Sequence, residues 1–129
     1  DLHDVVDAHL LAVQKAPTLG FGKYIISATT PFLPEDLAEL RTDAVRVVAR
    51  RVPAYEEPYA RRGWVLFPRI DRVYVNERAQ RELGWRPRYD FRHAIECLNA
   101  GEDLRSPLAR VVGAKGYHDR AFADGPYPV

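Results

Sequence analysis

The residues best suited to chemistry lie in one short stretch, Arg69-Ile70-Asp71-Arg72-Val73-Tyr74. A guanidinium offers a planar fork of N–H donors that matches two oxygens of a phosphate. Two such groups on a loop-to-strand turn, with Tyr74 beside them, suit a phosphate or diphosphate. The plainer reading is a surface ion pair between Asp71 and a neighbouring arginine. A second group, Thr29, Thr30 and Phe32, follows a β-rich run. Ligands of open α/β sheets gather near the carboxyl ends of strands, so these hydroxyls and this ring could border a binding pocket. Turn chemistry plus one core phenylalanine accounts for them equally simply.

Other side chains invite other chemistries and support them less. His3, Asp4 and Asp7, with the later pair His118-Asp119, suggest a metal, but no third and fourth ligand falls at a diagnostic spacing. Two acids in the first turns of a helix are explained by the helix dipole. Cys97 has no histidine spaced to activate it as a nucleophile and reads as a packed thiol. Tyr55, Tyr59, Trp64 and Trp85 form either an aromatic surface or the lid of a core, with Trp85 expected between the last two helices. The pairs Arg50-Arg51 and Arg61-Arg62 belong to a chain of net charge +1 with no recognisable nucleic-acid-binding fold, which argues against nucleic acid.

These groups must be held by local elements. Leu2, Val5, Val6, Leu10 and Val13 recur at helical spacing, predicting a helix over 2–15 that ends at Pro17 to Gly22. Lys23 to Ala28 predicts a buried strand. Pro34-Glu35-Asp36 opens a helix expected to run unbroken to Arg51, with Leu37, Leu40, Ala44, Val45 and Val48 on one face. Ala54 to Gly63 has weak helical character, and Arg72 to Val75 predicts a second short strand. Asn76 begins a helix over 77–83 that Gly84 ends. Asp90 caps one over 91–99, and Ser106-Pro107 starts one to Val112. The tail from Gly113 is rich in Gly, Pro and aromatics and reads as irregular. The expected class is therefore α/β: a helix-rich unit with two or three short strands.

The bulk numbers fit one domain of 129 residues, with 47% hydrophobic and 29% charged residues. A net charge of +1 gives no strong pull toward membrane or nucleic acid. No apolar run reaches the roughly 18 residues of a membrane span. The single cysteine precludes an internal disulfide, consistent with a cytoplasmic setting. Methionine is absent even from position 1, so the sequence reads as a piece of a longer chain.

The block from Arg72 to Pro87 resembles the C-terminal signature of the extended short-chain dehydrogenase/reductase family, in its UDP-glucose 4-epimerase-like NAD-dependent epimerase/dehydratase branch. There a short strand leads into a helix ending in Leu-Gly-Trp-x-Pro, as Leu83-Gly84-Trp85-Arg86-Pro87 does here. Asp4-Val5-Val6-Asp7-Ala8-His9 is similar to another element of the family, and Lys23 to Leu40 to the next. The three cover roughly residues 1–100 in the family's order. Arg69 to Tyr74 resembles the stretch that meets the nucleotide in sugar-nucleotide dehydratases, with Ile70 standing where the family has His.

The resemblance implies the C-terminal, nucleotide-sugar-binding part of an NAD(P)-dependent enzyme, with Arg69, Arg72, Tyr74, Thr29, Thr30 and Phe32 as substrate-binding candidates. NAD or NADP, the Gly-rich loop and the catalytic Tyr-x-x-x-Lys pair would belong to an N-terminal Rossmann half of the same parent chain. None of those motifs is present here; the nearest imitation of the pair is Tyr74 with Arg78. The unit is therefore expected to be non-catalytic alone, to bind no cofactor, and to self-associate through the apolar face its partner would cover. A non-enzymatic binding or interaction module is the rival reading.

Overall fold

The computed structural model describes residues 1–113. Seven α-helices account for its regular structure, joined by two single 3-10 turns: α1 (Leu2–Leu19), α2 (Leu37–Leu40), α3 (Ala44–Arg51), α4 (Glu56–Arg62), α5 (Glu77–Leu83), α6 (Phe91–Ala100) and α7 (Pro107–Val112). The 3-10 turns, Pro34–Asp36 and Pro53–Tyr55, lead into α2 and α4. The expected α/β class is thereby corrected to all-helical: the described residues contain no strand. The expected strands at Lys23 to Ala28 and Arg72 to Val75 lie outside every helix, but among the described residues no backbone hydrogen bond joins either to another segment. β-Propensity reports side chains that suit a pleated, half-buried surface, whereas a strand exists only once a neighbour supplies the ladder. Here side chains hold these segments instead. Tyr24 and Ile26 pack against the α1–α5 core, and Asn76 Nδ2 donates to Ser27 O at 2.8 Å.

Local caps set most helix ends. Asp1 Oδ1 accepts from His3 N, Asp90 Oδ1 from His93 N, and Ser106 Oγ from Ala109 N, each satisfying an amide that the first helical turn leaves without a partner. Gly84 closes α5 at φ 72°, a left-handed conformation costly for any residue with a Cβ. The first helix outlasts its expected end and continues through Pro17 to Leu19.

The helix expected from Pro34 to Arg51 is broken instead at Arg41–Asp43. Asp43 Oδ1 caps α3 by accepting from Arg46 N at 3.1 Å. The loop at 68–70 docks into the gap: Ile70 N donates to Leu40 O at 2.8 Å, and Ala44 N donates to Pro68 O at 3.0 Å. The break rotates the buried face, so Leu40, Ala44 and Val47 form a core with Ile70 and Val73, while Leu37 and Val45 are exposed. Phe32 joins this core to a second one of Val48, Val52, Tyr55 and Ile95. A third core sets Ala8 of α1 against Ala79, Leu83 and Trp85. Trp85 thus packs against α1 and α5, not between the last two helices.

Candidate anion-binding pocket

The docked loop places Ile70 to Tyr74 against the end of α2. Between them lies an open pocket of about 370 Å³, walled by Leu37, Arg41, Ile70, Asp71, Arg72, Val73 and Tyr74. Arg72 and Tyr74 of the expected site are brought together here. Arg69 is exposed and does not line the pocket.

Thr29, Thr30 and Phe32 lie elsewhere and have protein partners. Thr29 Oγ1 accepts from Asn76 Nδ2 at 3.2 Å and Gln80 Nε2 at 3.3 Å. Thr30 Oγ1 accepts from Phe32 N at 3.2 Å, and the Phe32 ring packs in the core.

Among the described residues, no carboxylate oxygen lies within 4.0 Å of a guanidinium nitrogen of Arg41, Arg69 or Arg72. The ion pair with Asp71 that would make Arg69 or Arg72 a plain surface group is not formed. The other arginine runs are held internally. Arg50 and Arg51 both bond to the buried Asp36, Arg61 to Asn99, and Arg62 to the carbonyls of Pro58 and Leu98. Arg46 pairs with Glu39, Arg88 with Asp7 and Arg105 with Asp103. Against that background, Arg41 and Arg72, neither with a carboxylate partner among the described residues, line one pocket and offer a place for an anion.

Arg41 was invisible to sequence reasoning, since in an unbroken helix it would be one more solvated cation. The usable signal was Asp43, a capping residue placed where the helical pattern was read as continuous.

The other candidates find structural roles. Asp4 is buried, and its carboxylate accepts from the backbone N–H groups of Arg88 and Tyr89, both at 3.0 Å. It holds the connector after Trp85 against α1. His3 stacks on Tyr89 and lies 3.9 Å from Asp7, but no group of three or more potential ligands forms among the described residues. His118 and Asp119 lie outside the described residues.

Cys97 is buried, and His93, one turn earlier on α6, places Nε2 3.5 Å from its Sγ. That neighbour was missed in the sequence, although its i, i+4 spacing on a helix puts it on the same face. Arg78 turns away from the suggested pairing with Tyr74: it bonds Glu82 at 3.0 Å and lies over the Tyr24 ring. The Tyr24 hydroxyl donates to Glu82 at 2.9 Å. Burial, and then the Glu82 carboxylate, push its pKa above the ordinary tyrosine value. Trp64 is half-exposed at the end of an edge-to-face series with Tyr59 and Tyr55.

No helix of the described residues is long and apolar enough to cross a membrane. No family model, curated protein or solved structure matches the chain.

Proposed function

We propose that this chain is the nucleotide-sugar-binding portion of an NAD(P)-dependent epimerase/dehydratase of the extended short-chain dehydrogenase/reductase type. The observation that carries the reading is Arg72: it has no carboxylate partner among the described residues and lines an open pocket with Tyr74. The end of the signature, Leu83-Gly84-Trp85, supports it, with helix, left-handed cap and buried indole following one another, although the short strand expected before that helix is not formed.

The glycines that end helices among the described residues do not fit a dinucleotide. A pyrophosphate-binding Gly-rich loop precedes a helix N-terminus, whereas Gly20, Gly63, Gly84, Gly101 and Gly113 all sit at helix C-termini. NAD(P) and the hydride chemistry therefore belong, on this reading, to an N-terminal Rossmann half that packs on this unit. The faces left for that half, or for self-association, include exposed Leu10 and Val13 on α1 and Phe67 and Val75 on the extended segments.

The test is a titration of the 129-residue chain with UDP-glucose, dTDP-glucose and GDP-mannose, followed by NMR shifts and calorimetry. One of the three should perturb Arg72 to Tyr74, and Arg72→Ala should weaken it at least about tenfold, ~1.4 kcal/mol. Shifts confined to another surface, or unchanged affinity in Arg72→Ala, would refute the assignment.

A further inference from the structure

We infer that two copies of this chain pair through residues 64–67, which add edge to edge as antiparallel strands about a twofold axis at Leu66. The inference is independent of the nucleotide-sugar reading.

Residues 64–67 run between α4 and the docked loop, outside any helix. Their backbone is held from one side only. Trp64 N donates to Tyr59 O at 3.0 Å, Pro68 O accepts from Ala44 N at 3.0 Å, and Ile70 N donates to Leu40 O at 2.8 Å. All three groups sit at even positions. Val65 and Phe67 make no backbone hydrogen bond among the described residues. In an extended chain the N–H and C=O of one residue point to the same edge, and that edge alternates from residue to residue. The even edge therefore faces the protein, and the odd edge is left open.

The side chains keep the same period. Leu66 packs against the core of Val48, Val52, Tyr55 and Ile95, and Trp64 sets its ring edge-on to Tyr59. Val65 is 91% exposed and Phe67 79%. An open edge beside an exposed apolar pair is a template for another strand.

The segment matches itself, and that decides for a second copy. A twofold axis at Leu66 sets Val65 of each copy opposite Phe67 of the other. Both pairs exchange N–H···O=C bonds across the odd edges, and each joins a β-branched to an aromatic side chain, a favoured cross-strand combination. Trp64 then falls opposite Pro68 in a pair that makes no hydrogen bonds, so the missing proline N–H costs nothing. Arg69 falls opposite Gly63, so no like charges face each other. Pairing through the even edges is excluded, because Trp64 N and Pro68 O are already taken. A ladder this short makes a small interface, so the dimer should be weak, with Kd on the order of 100 µM.

The test is analytical ultracentrifugation of the 129-residue chain from about 10 µM to about 1 mM. Two double variants accompany the wild type: Val65→Lys with Phe67→Lys, and Val65→Glu with Phe67→Lys. Both positions are exposed, and circular dichroism checks each fold. The mass of the wild type should rise toward that of a dimer with concentration. The first variant sets lysine opposite lysine and should weaken the dimer at least about tenfold; the second sets glutamate opposite lysine in this register alone and should stay within about threefold of wild type. Amide exchange should slow at Val65 and Phe67 as concentration rises, with Leu66 unchanged.

A wild type that stays monomeric at the highest concentration overturns the inference. So does a dimer that the paired lysines leave intact, which would place the contact elsewhere, for instance on Leu10 and Val13 of α1. If both variants lose the dimer equally, the twofold register at Leu66 is refuted. None of these results bears on nucleotide-sugar binding, which the titrations above test separately.

Discussion

Trp85→Ala is expected to lower the unfolding free energy by about 3–5 kcal/mol, the usual cost of truncating a fully buried large aromatic. Domains of this kind have only about 5–15 kcal/mol in total, so the variant should be partly unfolded at 37 °C. The indole is 1% exposed and fills the space between Ala8 of α1 and Ala79 and Leu83 of α5. Two alanines flank it, so neither neighbour can swing a longer side chain into the hole. Its Nε1 donates to Asp4 O at 2.8 Å, and the Asp4 carboxylate takes the next two backbone amides but one, those of Arg88 and Tyr89. One residue of α1 thus grips both ends of the connector that follows Trp85. Loss of the ring should release α1 from the rest of the fold.

Trp85→Phe separates the two contributions. It keeps most of the packing and gives up the hydrogen bond, worth about 0.5–1.5 kcal/mol. Urea unfolding followed by circular dichroism measures both variants. A cost under about 1 kcal/mol for Trp85→Ala would mean that α1 is held by something other than this joint.

What the sequence disclosed and what it withheld divide along a physical line. Asp90, Ser106 and Gly84 act within one turn of their own positions, through a side-chain oxygen or a permitted φ, and their helices begin and end as local pattern predicts. Lys23 to Ala28 and Arg72 to Val75 have the composition of strands, but a ladder depends on another segment, and composition carries no information about whether that segment is there. The helix over 34–51 failed for the converse reason. Leu37, Leu40, Ala44 and Val48 keep a helical period across Arg41–Asp43, yet Leu40 O and Ala44 N are claimed by Ile70 and Pro68 of a loop far along the chain.

The pocket shares both properties. Arg72 and Tyr74 stood out by residue type, and their adjacency is local. Arg41 joins them only through the docked loop, so no spacing rule reaches it. Thr29 and Thr30 looked available because hydroxyls by themselves do not reveal their partners; Asn76 and Gln80 supply those for Thr29 across more than forty positions.

The same α2–α3 region yields the strongest expected dependence on pH. Asp36 is fully buried, and four donors reach its carboxylate. Oδ2 accepts from Leu33 N at 2.9 Å and Arg51 Nε at 2.7 Å; Oδ1 accepts from Arg50 Nη2 at 2.9 Å and Arg51 Nη2 at 3.1 Å. The two-pronged Arg51 contact, and then the Leu33 amide, hold the carboxyl well below the usual carboxylate range. Both arginines are correspondingly harder to deprotonate, Arg50 through Glu39 and Asp36 and Arg51 through Asp36 first.

A carboxylate depressed in the folded state binds its proton first in the unfolded chain, whose ordinary value is about 4. Its stabilising contribution is therefore complete above that value and is lost progressively as pH falls toward the folded one. Asp36→Asn removes the charge but keeps the shape. It leaves Arg51 with one acceptor where it had two, and it puts an amide donor in front of a guanidinium. The thermal midpoint at pH 7 is expected to fall by on the order of 10 °C.

The second expectation concerns slope. Between about pH 5 and 2 wild type should lose stability steeply, and Asp36→Asn should follow a shallower curve. Asp103 and Glu82, whose carboxyls are also lowered by arginine neighbours or by Tyr24, would supply the remaining slope. Melting curves at half-unit pH steps decide the matter. Parallel curves for the two proteins would show that Asp36 is not the group whose protonation loosens the α2–α3 corner, and would move that role to the more exposed pairs.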